Sequence, residues 1–162
     1  MNDQNTAPQR EFASPLSAAD IPSSSWSCKV TIRHGHCDPA GIVYTPKFFD
    51  LFNQAIEAWF IEALSIDYYQ VIGERRTGLG YVTASADFFE PCVMGDNLEI
   101  FLRVARVGTK SYTLMLHAMR DGTEALRGHF TTVTTTLDGH KSIAIPADIK
   151  AAIVAYSEKW CQ

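Results

Sequence analysis

The segment 45–64, TPKFFDLFNQAIEAWFIEAL, constrains the fold most, because it predicts a long helix that is apolar around most of its circumference. Thr45 is the expected N-cap, Pro46 the first helical residue and Ser65 the approximate end. The polar residues recur at three- and four-residue spacing and form one narrow stripe: Lys47, Asp50, Asn53, Gln54 and Glu57. Such a helix must be enclosed by other elements rather than laid on a surface.

Five further segments predict strands, because they are rich in β-branched and aromatic residues and several alternate with polar ones. They are CKVTIRH at 28–34 and the segments 79–89, 97–107, 110–120 and 128–137. Short connectors such as the Asp121-Gly122 turn make neighbouring strands antiparallel. A last helix is expected to begin near Pro146. The sequence therefore predicts an α+β fold: a five-stranded antiparallel sheet wrapped around a long central helix, with a C-terminal helix.

Length and composition narrow the class of protein. The 162 residues fit a flexible tail rich in Ser, Ala and Pro at 1–25 and a single domain at 26–162. The net charge of −4 argues against nucleic-acid binding, which needs a basic face. Four scattered cysteines indicate reduced thiols rather than a disulfide framework. With no secretory leader and no apolar run of membrane length, we expect a cytoplasmic protein without a membrane span.

The segment HGHCDPAGIVYTPKFF at 34–49 joins the first predicted strand to the central helix. It places Asp38 in a Pro-Gly turn just before the helix. From spacing alone Asp38 is more simply a turn residue, since Asp accepts hydrogen bonds from local N–H groups and Pro restricts φ at the next position. A carboxylate beside a helix N-terminus also suits hydrolysis, because it offers a nucleophile or base next to amides that stabilise an oxyanion.

This junction resembles the active-site motif of the hotdog-fold acyl-CoA thioesterases, in particular the 4-hydroxybenzoyl-CoA thioesterase family. CDPAGIVYTP is a near-verbatim match, and DFFEPCVMGDNLEI, GTKSYTL and IPADI extend the resemblance over residues 28–149. It implies a hotdog fold and hydrolysis of an acyl- or aroyl-CoA thioester. It also implies that Asp38 attacks the thioester carbonyl or directs a water onto it, while the backbone amide of Thr45 polarises that carbonyl. Tyr44 and Lys47 are the neighbouring candidates for the polarising role.

Further residues are expected to bind the substrate, some because of their own chemistry and some because of the resemblance. Gly41 is expected to permit close approach or a positive φ, Phe48 to line an acyl pocket, and Lys110 to lie near the nucleotide. His36 stands at a position that is acidic in the family, and it is expected to line the cleft. Asn53 replaces an aspartate that receives a phenolic hydroxyl, so an aromatic and an aliphatic acyl group both remain open.

The resemblance implies no metal and no tightly bound cofactor, because coenzyme A enters as part of the substrate. It further implies a homodimer or homotetramer with active sites at the subunit interface, which would also cover the edge strands of the sheet.

Two other functions stay open at this point. Glu57 with His34 or His36 would suit a hotdog-fold enoyl-CoA hydratase or dehydratase, in which a carboxylate and a histidine handle the α-proton. The second open function is that of a non-catalytic acyl-CoA-binding protein. A metal at His34 and His36 is not predicted, because no other histidine comes with a ligand-like pattern of neighbours.

Overall fold

The computed structural model describes residues 13–158, in which five strands form one antiparallel sheet and three α-helices are present. The strands are β1 (Ser27–Thr31), β2 (Thr77–Phe88), β3 (Asn97–Val107), β4 (Ser111–Arg120) and β5 (Thr123–Thr136). The helices are α1 (Thr45–Glu62), α2 (Tyr68–Gly73) and α3 (Ala147–Ser157). The strand order is β1-β3-β4-β5-β2, so β1 and β2 are the edges. The predicted α+β fold is confirmed.

The long helix α1 buries one side against the sheet. Its buried residues are Phe48, Leu51, Phe52, Ala55, Ile56, Trp59 and Phe60. Gly128 on β5 permits the close approach, since a Cβ there would lie 2.8 Å from ring atoms of both Phe52 and Phe130. The opposite side of α1 exposes Asp50 and Gln54. The single chain therefore covers the helix on its sheet side and leaves the polar stripe open.

Tyr156 attaches α3 to the sheet. It is buried together with Ile149 and Ile153. The Tyr156 hydroxyl donates to the carbonyl of Leu102 on β3 at 2.7 Å and accepts from the amide of Trp26 at 3.2 Å. One phenol thus joins α3, a central part of β3 and the segment that leads into β1.

The helix boundaries differ slightly from those predicted. Tyr44, not Thr45, is the N-cap of α1, and the helix ends at Glu62, three residues before Ser65. The short helix α2 was not predicted, and Asp67 caps it by accepting hydrogen bonds from two backbone amides. No helix within residues 13–158 combines the length and the hydropathy needed to cross a membrane.

Among the strands, β1 and β5 differ most from the predicted boundaries. β1 ends at Thr31, and His34–His36 form a 3-10 turn rather than the end of a strand. β5 begins at Thr123 instead of Gly128. The charged residues in that stretch suggested a connector, yet Glu124 and Arg127 are 0% and 8% exposed, because they pair with each other inside the fold.

The region predicted as a tail is described from residue 13 onward, and residues 1–12 lie outside the described part. The carbonyl of Leu16 accepts from the amide of Glu124 at 3.0 Å, and the amide of Ala18 donates to the carbonyl of Gly122 at 2.8 Å. Ser17 and Thr123 pair as an isolated antiparallel bridge. Residues 16–18 therefore run beside the start of β5, a contact that their composition did not predict.

Candidate active site

Residues 36–44 form a small hairpin between β1 and α1. The amide of Asp38 donates to the carbonyl of Ile42 at 3.0 Å, and the amide of Tyr44 donates to that of His36 at 2.9 Å. Gly41 turns the chain at a φ of +82°, a value that favours glycine. The hairpin thus holds Asp38 on its first arm and leads its second arm directly into α1.

The first turn of α1 leaves one amide open. The amide of Tyr44 is bonded to His36, Pro46 has no N–H, and the amide of Lys47 donates to the carbonyl of Tyr44 at 2.7 Å. Within residues 13–158, the amide of Thr45 has no hydrogen-bond partner. Because the N-terminus of a helix carries partial positive charge, this N–H is placed to receive a negative oxygen.

A cavity of about 290 Å³ lies beside this helix start. Thr45 and Phe48 line it from α1, Ile42 and Val43 line it from the hairpin, and residues 88–92 form the facing wall. The amide of Val43 donates to the carbonyl of Cys92 at 2.9 Å, which joins the two walls. The lining is largely apolar, so the cavity suits an apolar group.

Asp38 itself is half-buried and lies beside the cavity rather than in its lining. Its Oδ1 accepts from the amide of Ala40 at 2.8 Å, the contact expected of a turn residue. Its Oδ2 has no hydrogen-bond partner in the described part of the chain. One oxygen therefore holds the turn, while the other is unbonded.

The comparisons with known proteins decide the family. Residues 32–153, which contain the hairpin, the cavity and four of the five strands, match the model of the thioesterase-like superfamily. The chain belongs to the thioesterase-like superfamily. A solved thioesterase superfamily structure from Jannaschia sp. CCS1 is similar over 83% of this chain and 94% of that one, with 31% sequence identity and a TM-score of 0.77.

Two curated relatives of this thioesterase-like chain carry the name 1,4-dihydroxy-2-naphthoyl-CoA hydrolase. The protein from Prochlorococcus marinus is 27% identical over 107 residues, which are 60% of this chain and 67% of that protein. The protein from Synechococcus elongatus is 36% identical over 78 residues, which are 48% of this chain and 57% of that protein. The chain thus spans between about half and two thirds of the length of these relatives.

Three further residues predicted for this site, His36, Tyr44 and Asn53, do not line the cavity. His36 Nδ1 accepts from the amide of Arg33 at 3.0 Å and so fixes the 3-10 turn before Asp38. Tyr44 is 53% exposed, and its amide already donates to the carbonyl of His36. Asn53 lies two turns further along α1, where its Oδ1 accepts from the hydroxyl of Tyr81.

Lys110 is not brought to the cavity of its own chain. It follows β3, whereas the hairpin lies beside the beginning of β3, so about 30 Å of strand separates them. Its Nζ donates to Ser142 Oγ at 3.4 Å. Lys110 therefore does not line this cavity.

The Glu57–histidine pair of the hydratase hypothesis is not assembled within the chain. Glu57 follows Thr45 by twelve residues, about 18 Å along the helix axis, whereas His34–His36 lie at the start of α1. Glu57 Oε2 accepts from the hydroxyl of Tyr69 at 3.2 Å. Among residues 13–158, no group of three or more His, Cys, Asp or Glu side chains is arranged to hold a metal ion.

The facing wall of the cavity was missed in the sequence. Phe88, Phe89 and Pro91 belong to this wall. The only local indication of it in the sequence was the apolar segment FFEPC at the end of a predicted strand. What assigns that segment to the site is the bridge between Ile42 and Val93, which joins residues about fifty positions apart. The periodicity of the local sequence does not predict such a long-range pairing.

Cys92 lines the cavity but is a poor nucleophile. Burial raises the pKa of its thiol to about 11, so the thiol stays protonated near neutral pH. Cys28, Cys37 and Cys92 all carry free thiols, and Cys161 lies outside the described residues. Asp38 therefore stays the candidate nucleophile or base.

Proposed function

We propose that this protein hydrolyses the thioester of an acyl- or aroyl-CoA, with Asp38 as nucleophile or general base. The observation that carries the proposal is a single hairpin that holds Asp38, which has one unbonded carboxylate oxygen, and leads into the open amide of Thr45, a residue that lines an apolar cavity. The names of the curated relatives support the substrate class.

The proposed reaction starts with the acyl group in the cavity and the thioester carbonyl at the start of α1. Either Asp38 attacks the carbonyl carbon or it removes a proton from a water that does so. Negative charge then develops on the carbonyl oxygen, where the amide of Thr45 and the helix dipole stabilise it. The C–S bond breaks and coenzyme A leaves as a thiolate that solvent protonates. In the covalent route, water then hydrolyses the acyl–aspartyl anhydride.

Isotope labelling separates the two routes. A single turnover in ¹⁸O water, followed by mass spectrometry of the peptide that contains Asp38, detects label in the side chain. Label in the Asp38 carboxylate would exclude attack by water alone, because that route leaves both oxygens of the carboxylate unchanged.

We also propose that the working unit is a homodimer or homotetramer that shares its active sites. The edge strand β2 exposes Val82 by 61% and Phe88 by 48%, and Phe88 also lines the cavity. A second subunit at this edge would cover the unpaired backbone and close the cavity. Lys110 of another subunit is then the proposed contact to the nucleotide. A monomeric mass in light scattering would exclude this arrangement.

The test of the activity is thiol release from a panel of acyl-CoA thioesters. We expect release from at least one aromatic or aliphatic substrate, with bicyclic aroyl-CoAs placed first because of the curated relatives. Activity should persist after dialysis against EDTA, since the proposed reaction needs no metal and no resident cofactor. Enoyl-CoA absorbance is followed in the same wells. An enoyl product from a 3-hydroxyacyl-CoA without thiol release would favour the hydratase instead.

A further inference from the structure

A buried ionic cluster lies on β4 and β5, outside the hairpin and the cavity. Glu124 is 0% exposed and accepts from His117 Nδ1 at 2.7 Å and from Arg127 Nε at 2.9 Å. Arg127 Nη2 donates to the second carboxylate oxygen, so the pair is bidentate. The proposed reaction uses none of these three residues, although burying charged groups is costly unless they have partners.

The cluster binds the segment that precedes β1. The amide of Leu16 donates to Glu124 Oε2 at 2.8 Å, and Arg127 Nη2 donates to the carbonyl of Ser14 at 3.0 Å. Two backbone hydrogen bonds, between Leu16 and Glu124 and between Ala18 and Gly122, continue the contact. We refer to residues 14–18 as the strap. The ionic cluster therefore completes its hydrogen bonding with backbone groups of the strap.

The same cluster supports the facing wall of the cavity. The guanidinium carbon of Arg127 lies 5.4 Å from the centroid of the Phe89 ring, a cation–π contact. The carbonyl of Ala125, next to Glu124, accepts from the amides of Phe89 and Glu90 at 2.9 and 3.0 Å. Phe89 and Glu90 both line the cavity. A continuous path of contacts thus runs from the strap through Arg127 to the ring of Phe89.

We propose that the strap, acting through Glu124 and Arg127, positions the Phe89 wall and thereby sets how tightly the cavity holds large acyl groups. Glu124 and Arg127 are then positioning residues, since neither lines the cavity. This inference rests on the proposed function for its effect on substrates, whereas its structural part, the coupling of the strap to residues 88–92, stands independently. For small acyl groups that do not reach Phe89, KM should not depend on the strap.

The test changes the strap and leaves the cavity untouched. Leu16→Pro removes the N–H that donates to Glu124, and Leu16→Ala is the matched control because it keeps that N–H. For a bulky aroyl-CoA we expect Leu16→Pro to raise KM about three- to fivefold, the size of one cation–π contact, with kcat little changed. For acetyl-CoA, and for Leu16→Ala with either substrate, KM should stay within about twofold of wild type.

Hydrogen exchange gives a readout that needs no activity. In Leu16→Pro, and not in Leu16→Ala, peptides that cover residues 86–92 should exchange faster than in wild type. Unchanged exchange at 86–92 would overturn the proposal, as would an equal rise of KM for both substrates. If the wild type hydrolyses no thioester, the proposed function fails and exchange alone decides the inference.

A second variant tests the proposal independently, in case Leu16→Pro does not fold. Arg127→Lys keeps the charge but loses the planar fork that reaches Glu124 and Ser14 together. It should reproduce both the selective rise of KM and the faster exchange. A folded Arg127→Lys variant with wild-type exchange and wild-type KM would overturn the proposal.

Discussion

The Glu124 carboxylate links charge to folding at the scale of a single residue. Burial alone would raise the pKa of this carboxyl, but hydrogen bonds from Arg127, His117 and the amide of Leu16 outweigh burial and lower the pKa from 4.5 to about 2. A group whose pKa is lower in the folded state stabilises the fold at pH values above its unfolded pKa. That stabilisation is lost as the pH falls towards the folded pKa.

We therefore expect Glu124 to contribute to acid sensitivity between about pH 5 and pH 2. The pKa difference corresponds to a stabilisation on the order of 3 kcal/mol at neutral pH. Glu124→Gln should lower the free energy of unfolding at pH 7 and lose less of it between pH 7 and pH 3 than wild type does. Urea unfolding at several pH values measures this, with exposed Asp50→Asn as the control. Parallel pH profiles for wild type and Glu124→Gln would refute the assignment.

Individual residues were predictable where a local motif carried them. Asp38 and Gly41 stand out because an Asp-Pro turn with a following glycine is a recognisable sequence, and the structure places both in the hairpin. Phe89 was not predictable as part of the site, because its place depends on hydrogen bonds to Ala125 on a distant strand. Neither a local motif nor a long-range contact alone shows that the amide of Thr45 is open. That depends on which hydrogen bonds the neighbouring amides make.

At the scale of elements, alternation was the most reliable signal. β3 was predicted to the residue, because every second position from Leu98 to Val104 is apolar and buried. The start of β5 was not predicted, because sequence patterns assign the charged residues Glu124 and Arg127 to a loop. The patterns do not show that these two side chains form an ion pair inside the fold. The six residues of α2 are too few to show a helical period.

Close packing between α1 and β5 yields a prediction at this scale. Gly128→Ala places a methyl group 2.8 Å from ring atoms of Phe52 and Phe130, and both rings are buried. We expect a loss of about 1–3 kcal/mol, because neither ring can move away without disturbing the core. Gly80→Ala on β2 is the matched control, since a Cβ there meets nothing within 4 Å. Equal stability of the two variants in urea would show that α1 packs less closely on β5.

At the scale of the whole molecule, the fold class followed from one enclosed helix and five strands, whereas the site depended on how distant segments meet. β1 and β2 are opposite edges of the sheet, and the segment that follows β2 meets the hairpin through the bridge between Ile42 and Val93 and the hydrogen bond from Val43 to Cys92. No local sequence pattern predicts that these distant segments contact each other. The same topology puts Lys110 at the far end of β3 from the hairpin.

The central claim is that Asp38 reacts and does more than form a turn, and Asp38→Asn tests it most directly. The asparagine Oδ1 can still accept from the amide of Ala40, so the turn is preserved while the charge is lost. In thiol release with the best substrate of the panel, we expect Asp38→Asn to lower kcat at least about a hundredfold, with the melting temperature unchanged. Asp50→Asn on the exposed side of α1 should retain wild-type kcat. Full turnover by a folded Asp38→Asn variant would contradict the claim.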